Sequence, residues 1–197
     1  MSRYARYQDL QIEVHDKVAT VTLDRPQRLN AAPPQMFDEL GSALKQLPAL
    51  GARALVITGE GRAFCSGADL AGRGAEPAVT PGASSRGAGA YKALTEHYSP
   101  TMLALSRLNI PVVAAVNGVA AGIGCSLALA CDFVVAARSA YFLEAFVNIG
   151  LVPDGGATWM LPRLVGKARA VEMMLLGERI GADKAEAWGL IHKAVDD

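Results

Sequence analysis

Three short segments carry residues of a kind that can do chemistry on a bound ligand. The first is Arg62-Ala63-Phe64-Cys65-Ser66-Gly67-Ala68-Asp69-Leu70, directly after an apolar run. Its small residues let a ligand approach the backbone, leaving peptide N–H groups free to donate. The second is Asn117-Gly118-Val119-Ala120-Ala121-Gly122-Ile123-Gly124-Cys125-Ser126, which joins an apolar run to a helical pattern. A glycine-rich helix start presents unpaired N–H groups and the positive end of the helix dipole, a setting suited to a negative oxygen. The third, Ile149-Gly150-Leu151-Val152-Pro153-Asp154-Gly155-Gly156-Ala157-Thr158, offers an acid in a glycine-lined turn.

Each segment also has a plainer use. A strand–glycine–helix junction is usually tight packing, and an aspartate such as Asp154 is more often a turn or capping residue than a catalyst. Neither glycine pattern has dinucleotide or P-loop spacing, which disfavours nucleotide-triphosphate chemistry. Gly124-Cys125-Ser126-Leu127-Ala128 lacks the final glycine of a hydrolase elbow, and no histidine is an obvious partner for Ser126. His15 falls in a turn, His192 near the end of the chain, and His97 on a helix where a surface or pocket-wall role is expected.

The elements that must position these segments follow from periodicity. Alternation over residues 11–23, interrupted by His15-Asp16-Lys17, predicts a hairpin. Pro33 and Pro34 precede a helical stripe of Met36, Leu40, Ala43, Leu44 and Leu47. Ala54–Thr58, Val112–Val116 and Phe133–Ala137 predict buried strands; Tyr91–Leu108 and Gly122–Ala130 predict helices. The remainder reads as mostly helical, with Gly177 and Gly189 as helix ends. Residues 71–90, rich in Gly, Ala, Ser and Pro, predict a mobile loop beside a site. Strands alternating with helices indicate an α/β fold in repeated strand–strand–helix turns, with residues 1–197 as a single domain.

Composition narrows the function classes. Nineteen basic residues balance nineteen acidic ones, so no overall field attracts a polyanion and nucleic acid is not expected as a partner. The longest apolar stretch, Ile110–Val116, is too short to span a bilayer, and the polar first nine residues carry no signal core, which predicts a cytoplasmic protein without a membrane partner. Cys65, Cys125 and Cys131 lack metal-like spacing and predict buried free thiols, with no metal site.

Taken in order, several segments resemble the enoyl-CoA hydratase/isomerase (crotonase) superfamily: Asp24-Arg25-Pro26 with Asn30-Ala31, Phe64–Leu70, Asn117–Asp132, Pro153-Asp154-Gly155-Gly156 and Ala187-Trp188-Gly189-Leu190. The match runs from Ile12 to about Val195. The resemblance implies a crotonase-like spiral and an acyl-CoA thioester substrate, with coenzyme A as part of that substrate and no permanently bound cofactor. It implies an oxyanion hole made by the backbone N–H groups of Ala68 and Ile123, each such donor contributing roughly 3–4 kcal/mol to the transition state. It places Arg25 and Arg28 near the CoA phosphates, and Ala63, Ser66, Gly67, Asp69 and Leu70 along CoA. Gly122, Ser126 and Phe146 then line the substrate site. Tyr91, His97, Phe142, Phe146 and Trp159 are expected to add surface to an acyl pocket.

Departures from the family pattern choose among activities. The two glutamates that hydratases of the family use are matched here by Ser126 and Phe146, neither a carboxylate base, and Glu144 stands two residues from the second position. Asp154 matches the aspartate of ring-epoxide phenylacetyl-CoA isomerase-like members. The resemblance therefore implies an enoyl-CoA isomerase with Asp154 as acid/base. The alternatives are a hydratase-like lyase, a non-catalytic acyl-CoA-binding or assembly protein, and thioester hydrolysis through Ser126. Family members usually continue into further C-terminal helices, which are expected to be short or missing here; a homotrimer or dimer of trimers is expected if those helices are dispensable.

Overall fold

The computed structural model describes residues 2–3, 7–70 and 86–197. Strand β1 (Ser2–Arg3) leads to the predicted hairpin, β2 (Leu10–His15) and β3 (Val18–Leu23), turned by Asp16 and Lys17 at φ +48° and +66°. Positive φ at both central residues matches the twist of paired strands. Helix α1 (Pro34–Gln46) buries Met36, Phe37, Leu40, Ala43 and Leu44, the predicted stripe with Phe37 added. Strands β4 (Ala54–Gly59) and β5 (Ala63–Cys65) follow, then a helical run through α2 (Arg86–Ala93), a π turn at Leu94–Tyr98, and α3 (Ser99–Ser106).

Most of the expected 71–90 loop lies outside the described residues, but 86–90 form the first part of α2 rather than loop. Arg86, Ala88 and Ala90 are good helix formers, so the helix predicted from Tyr91 extends back through them despite Gly87 and Gly89; further along the run Phe37 and Tyr98 meet edge to face at 4.8 Å, and Thr101 Oγ1 donates to Phe37 O at 2.7 Å.

Strand β6 (Val112–Val116), β7 (Val119–Ala121), α4 (Ile123–Leu129), β8 (Phe133–Ala137) and β9 (Tyr141–Leu143) come next. The last stretch is α5 (Ala157–Leu176), broken at Gly166 with φ +76°, then β10 (Ile180–Gly181), α6 (Ala182–Trp188) and β11 (Lys193–Val195). Gly177 and Gly189 end α5 and α6 in the left-handed conformation, as expected. Beyond Ala137 the chain is less purely helical than predicted, because the three short strands β9, β10 and β11 complete the sheets.

The spiral is visible in the strand order. A seven-stranded sheet runs β1-β2-β3-β4-β6-β8-β11, and a four-stranded sheet runs β10-β9-β7-β5. Each turn places one strand in the large sheet and the next in the small one: β4 then β5, β6 then β7, β8 then β9. The corners are tight. A Cβ at Gly118 would stand 2.2 Å from Arg62 O, so only glycine fits. One apolar core, including Phe37, Phe64, Phe142, Leu127 and Leu161, fills the space inside. All three cysteines are buried and free. Among the described residues no helix is long and apolar enough to cross a membrane.

Candidate active site

Strands β5, β7 and β9 run parallel, so their C-terminal ends lie side by side. The segments around Gly67, Gly122 and Glu144 leave from those three ends. Gly67 (φ +109°) and Gly122 (φ +50°) bring two of them into contact: a Cβ on Gly122 would lie 3.9 Å from Gly67 Cα. Ala68 and Ile123 follow these two glycines directly.

The backbone at Ala68 is held by Ala32. Ala32 N donates to Gly67 O at 2.7 Å, and Asp69 N donates to Ala32 O at 2.9 Å. Strand alternation then turns the Ala68 N–H to the opposite side, away from Ala32. At the second loop, Ser126 N closes the first intrahelical bond of α4, to Gly122 O at 3.0 Å. The N–H groups of Ile123, Gly124 and Cys125 precede that bond and have no helical partner. Two peptide donors thus come off adjacent loops, one at a helix start.

Asp154 reaches the same place from the turn ahead of α5. Ser126 Oγ donates to Asp154 O at 2.9 Å, and a Cβ on Gly155 would stand 2.6 Å from Ile123 Cδ1. Asp154 Oδ1 is buried without a hydrogen-bond partner, and burial pushes the carboxyl up to about 6. An acid poised there can both take and return a proton near neutrality.

Glu144, set aside on sequence grounds as lying elsewhere on the wall, is fully buried, and neither carboxyl oxygen has a hydrogen-bond partner. Burial chiefly, with the charge of Asp154 added, pushes it up to about 7, against a lowering by the neighbouring Cys125 thiol. Its only sequence signal is an acid inside the apolar run Tyr141–Phe146.

The other expected site residues divide. Ser126 is fully buried, and Phe146 packs its ring tip 3.8 Å from where a Gly122 Cβ would be. Ala63 is 1% exposed, and its carbonyl accepts from Asn30 Nδ2 at 2.7 Å. Arg25 is engaged within the fold: Nε lies 3.3 Å from Asp9 Oδ1, Nη1 lies 2.8 Å from Asp69 Oδ2, and Nη1 also donates to Ala31 O. Arg28 is exposed, Ser66 half-buried, and Leu70 44% exposed. Asn30, whose sequence signal is its place in the Asn30-Ala31 motif, latches the site from φ +53°: its Oδ1 accepts from Arg25 N, and its Nδ2 also donates to Glu60 O.

A cavity of about 710 Å³ opens between α3, the end of α4 and the start of α5; Asp154, Ala68 and Ile123 do not line it. Met102, Leu103, Trp159, Met160 and Leu164 make it mainly apolar, and Gly155 and Gly156 form its edge toward Asp154. Of the expected aromatic wall, Trp159 lines this cavity, but Phe142 is sealed in the core, Tyr91 is 70% exposed, and His97 Nδ1 pairs with Asp38. Among the described residues no cluster of His, Cys, Asp and Glu could hold a metal ion.

Residues 13–197 match the profile of the family described as Enoyl-CoA hydratase/isomerase. A Rhodobacter capsulatus protein named as a probable enoyl-CoA hydratase is 48% identical over 192 residues, covering 97% of this chain and 70% of that protein. The 1,2-epoxyphenylacetyl-CoA isomerase of Escherichia coli is 45% identical over 185 residues, covering 93% of this chain and 68% of that protein. Among solved structures, enoyl-CoA hydratase from Mycobacterium smegmatis superposes with a TM-score of 0.83 at 37% identity, covering 96% of this chain and 71% of that one.

Proposed function

The chain belongs to the enoyl-CoA hydratase/isomerase family and is an acyl-CoA enzyme of that family; on that premise we propose that it moves a double bond within an enoyl-CoA thioester rather than adding water to one. The observation that carries this reading is Asp154, whose buried Oδ1 has no partner and which burial holds at about 6.

In this reading the thioester oxygen sits between the Ala68 and Ile123 N–H groups. Asp154 takes a proton from the carbon between the thioester and the double bond. Negative charge moves to the thioester oxygen as the dienolate forms, where the two N–H groups oppose it. The protonated Asp154 then returns the proton at the far end of the conjugated system. No water is consumed and no redox partner is needed. Coenzyme A enters as part of the substrate, with Arg28, Ser66, Gly67 and Leu70 along its path. The apolar cavity beside Trp159 suits an alkyl or aryl acyl group.

Positions 126 and 146 support isomerisation over hydration. Ser126 commits its hydroxyl to Asp154 O, and Phe146 has no proton to give. A chain offered a 3-enoyl-CoA should generate the absorbance of a conjugated thioester. Asp154→Asn should lower that rate by roughly 10²–10⁴-fold while acyl-CoA binding persists. Undiminished turnover in this variant removes Asp154 from the mechanism.

A further inference from the structure

Glu144 is an acid that the proton transfer just described does not use. It stands one residue past β9, whose last residue, Leu143, pairs with Ala121 just ahead of the Gly122–Ile123 helix start. The titratable groups that act on it are the Cys125 thiol, from the first turn of α4, and the Asp154 carboxyl, from the turn ahead of α5. No cation of the described residues offsets it. One helical turn links the two acids: Cys125 lies against Glu144, and the next residue, Ser126, donates to Asp154 O. As a packing residue Glu144 is a poor choice, because a buried carboxyl with only a weakly donating thiol beside it costs stability that an apolar side chain would not. Pairs of acids in unlike surroundings are instead a signature of divided acid–base roles.

We propose that Glu144 is a second acid of this site, a positioning residue that stays protonated behind an ionised Asp154, and that the enzyme works only while the pair carries one negative charge. The kinetic half of this rests on the isomerase reading; the protonation state of Glu144 does not. Burial raises both carboxyls, to about 6 for Asp154 and about 7 for Glu144, and Glu144 is the more deeply buried of the two, so raising the pH first creates the base and then adds a second charge. These two steps belong to the pair rather than to either residue alone. The second charge sits across the first turn of α4 from the place where the enolate oxygen gains its own. Screening is weak in so desolvated a region, so a doubly ionised pair opposes enolate formation. A neutral carboxyl does not.

Two measurements test this. The first is a ¹³C NMR titration of the glutamate side-chain carboxyls in the intact protein. One resonance should titrate near 7 and be missing from Glu144→Gln. If every glutamate titrates near its ordinary 4.5, the proposal is wrong whatever the reaction proves to be. The second is the pH profile of kcat/KM for double-bond migration. It should rise through about 6 and fall above about 7, by roughly tenfold per pH unit. Glu144→Gln should keep the rise and lose the fall, and Glu144→Asp should restore a fall. A fall that survives unchanged in Glu144→Gln overturns the role given to Glu144. A wild-type chain that turns over no enoyl-CoA counts against the isomerase reading, and the NMR titration still decides whether Glu144 keeps its proton.

Discussion

Ser126 Oγ donates a 2.9 Å hydrogen bond to the backbone carbonyl of Asp154, fastening the acid-bearing turn to the helix that carries Ile123. The hydroxyl is fully buried and donates to that carbonyl, which in the proposed mechanism suits Ser126 to supporting Asp154 rather than to nucleophilic attack. Ser126→Ala should therefore destabilise the fold by about 0.5–1.5 kcal/mol, the net worth of one hydrogen bond, because Ala157 N still donates to the same carbonyl at 3.1 Å. It should lower kcat with little change in KM. Assays for released CoA thiol should give the same low signal in both proteins; a wild-type hydrolysis rate abolished by the substitution would restore Ser126 as a nucleophile.

The Arg25–Asp69 contact argues for a different division of labour among the arginines. Arg25 lies between Asp9 and Asp69, both mostly buried, while Arg28 is exposed. Removing the guanidinium leaves two buried carboxylates without it, and breaking a buried pair in this way costs roughly 3–5 kcal/mol. Arg25→Met should lower the melting temperature and kcat together, because Asp69 follows the Ala68 donor. Arg28→Ala should leave melting unchanged and weaken acyl-CoA binding most at low salt. Loss of binding with intact stability in Arg25→Met would make Arg25 a ligand contact instead.

Much of the frame was legible because its periodicities are strong. The alternation at 11–23, the stripe from Met36 to Leu47, and the apolar runs at 112–116 and 133–137 emerge as β2–β3, α1, β6 and β8. The small sheet was not legible. Strands β5, β7 and β9 have three residues each, and sequences such as Val-Ala-Ala carry no period to read. The motif marks Asp154, whereas nothing in the sequence pattern says that an acid two residues from Phe146 turns inward. The setting of Glu144 depends on Cys125, at the start of α4, lying against it, a relation between residues about twenty apart.

Burial of Glu144 also sets a pH dependence of stability. Its carboxyl is raised in the folded state from 4.5 to about 7. A group raised in this way stabilises fully below its unfolded value, and that contribution is lost as pH rises through the folded one. The rise corresponds to about 3 kcal/mol lost between those two values. Glu144→Gln removes this dependence, and groups that do not interact with Glu144 cancel in the comparison, leaving Asp154 as a smaller further contribution. Urea unfolding should show the variant gaining on the wild type by up to about 3 kcal/mol between pH 4 and pH 8. A constant difference across that range would mean that Glu144 is not held protonated.

Gly124 tests whether the two peptide donors depend on one close contact. A Cβ there would stand 2.3 Å from Cys65 O and 2.7 Å from Cys65 Cβ, so backbone must move. The elements forced apart are β5 and α4, and these lead to Ala68 and Ile123. Overpacking of this kind costs about 1–3 kcal/mol, but the geometric effect on a two-donor oxygen site should be larger than the effect on folding. Gly124→Ala should therefore lose much more of kcat than its melting temperature suggests. Gly89, exposed in α2 with nothing within 4 Å of its would-be Cβ, is the control. Alanine there should stabilise by about 1 kcal/mol through helix propensity and leave kcat unchanged. If Gly124→Ala turns over normally, the contact between β5 and α4 does not set the spacing of the donors.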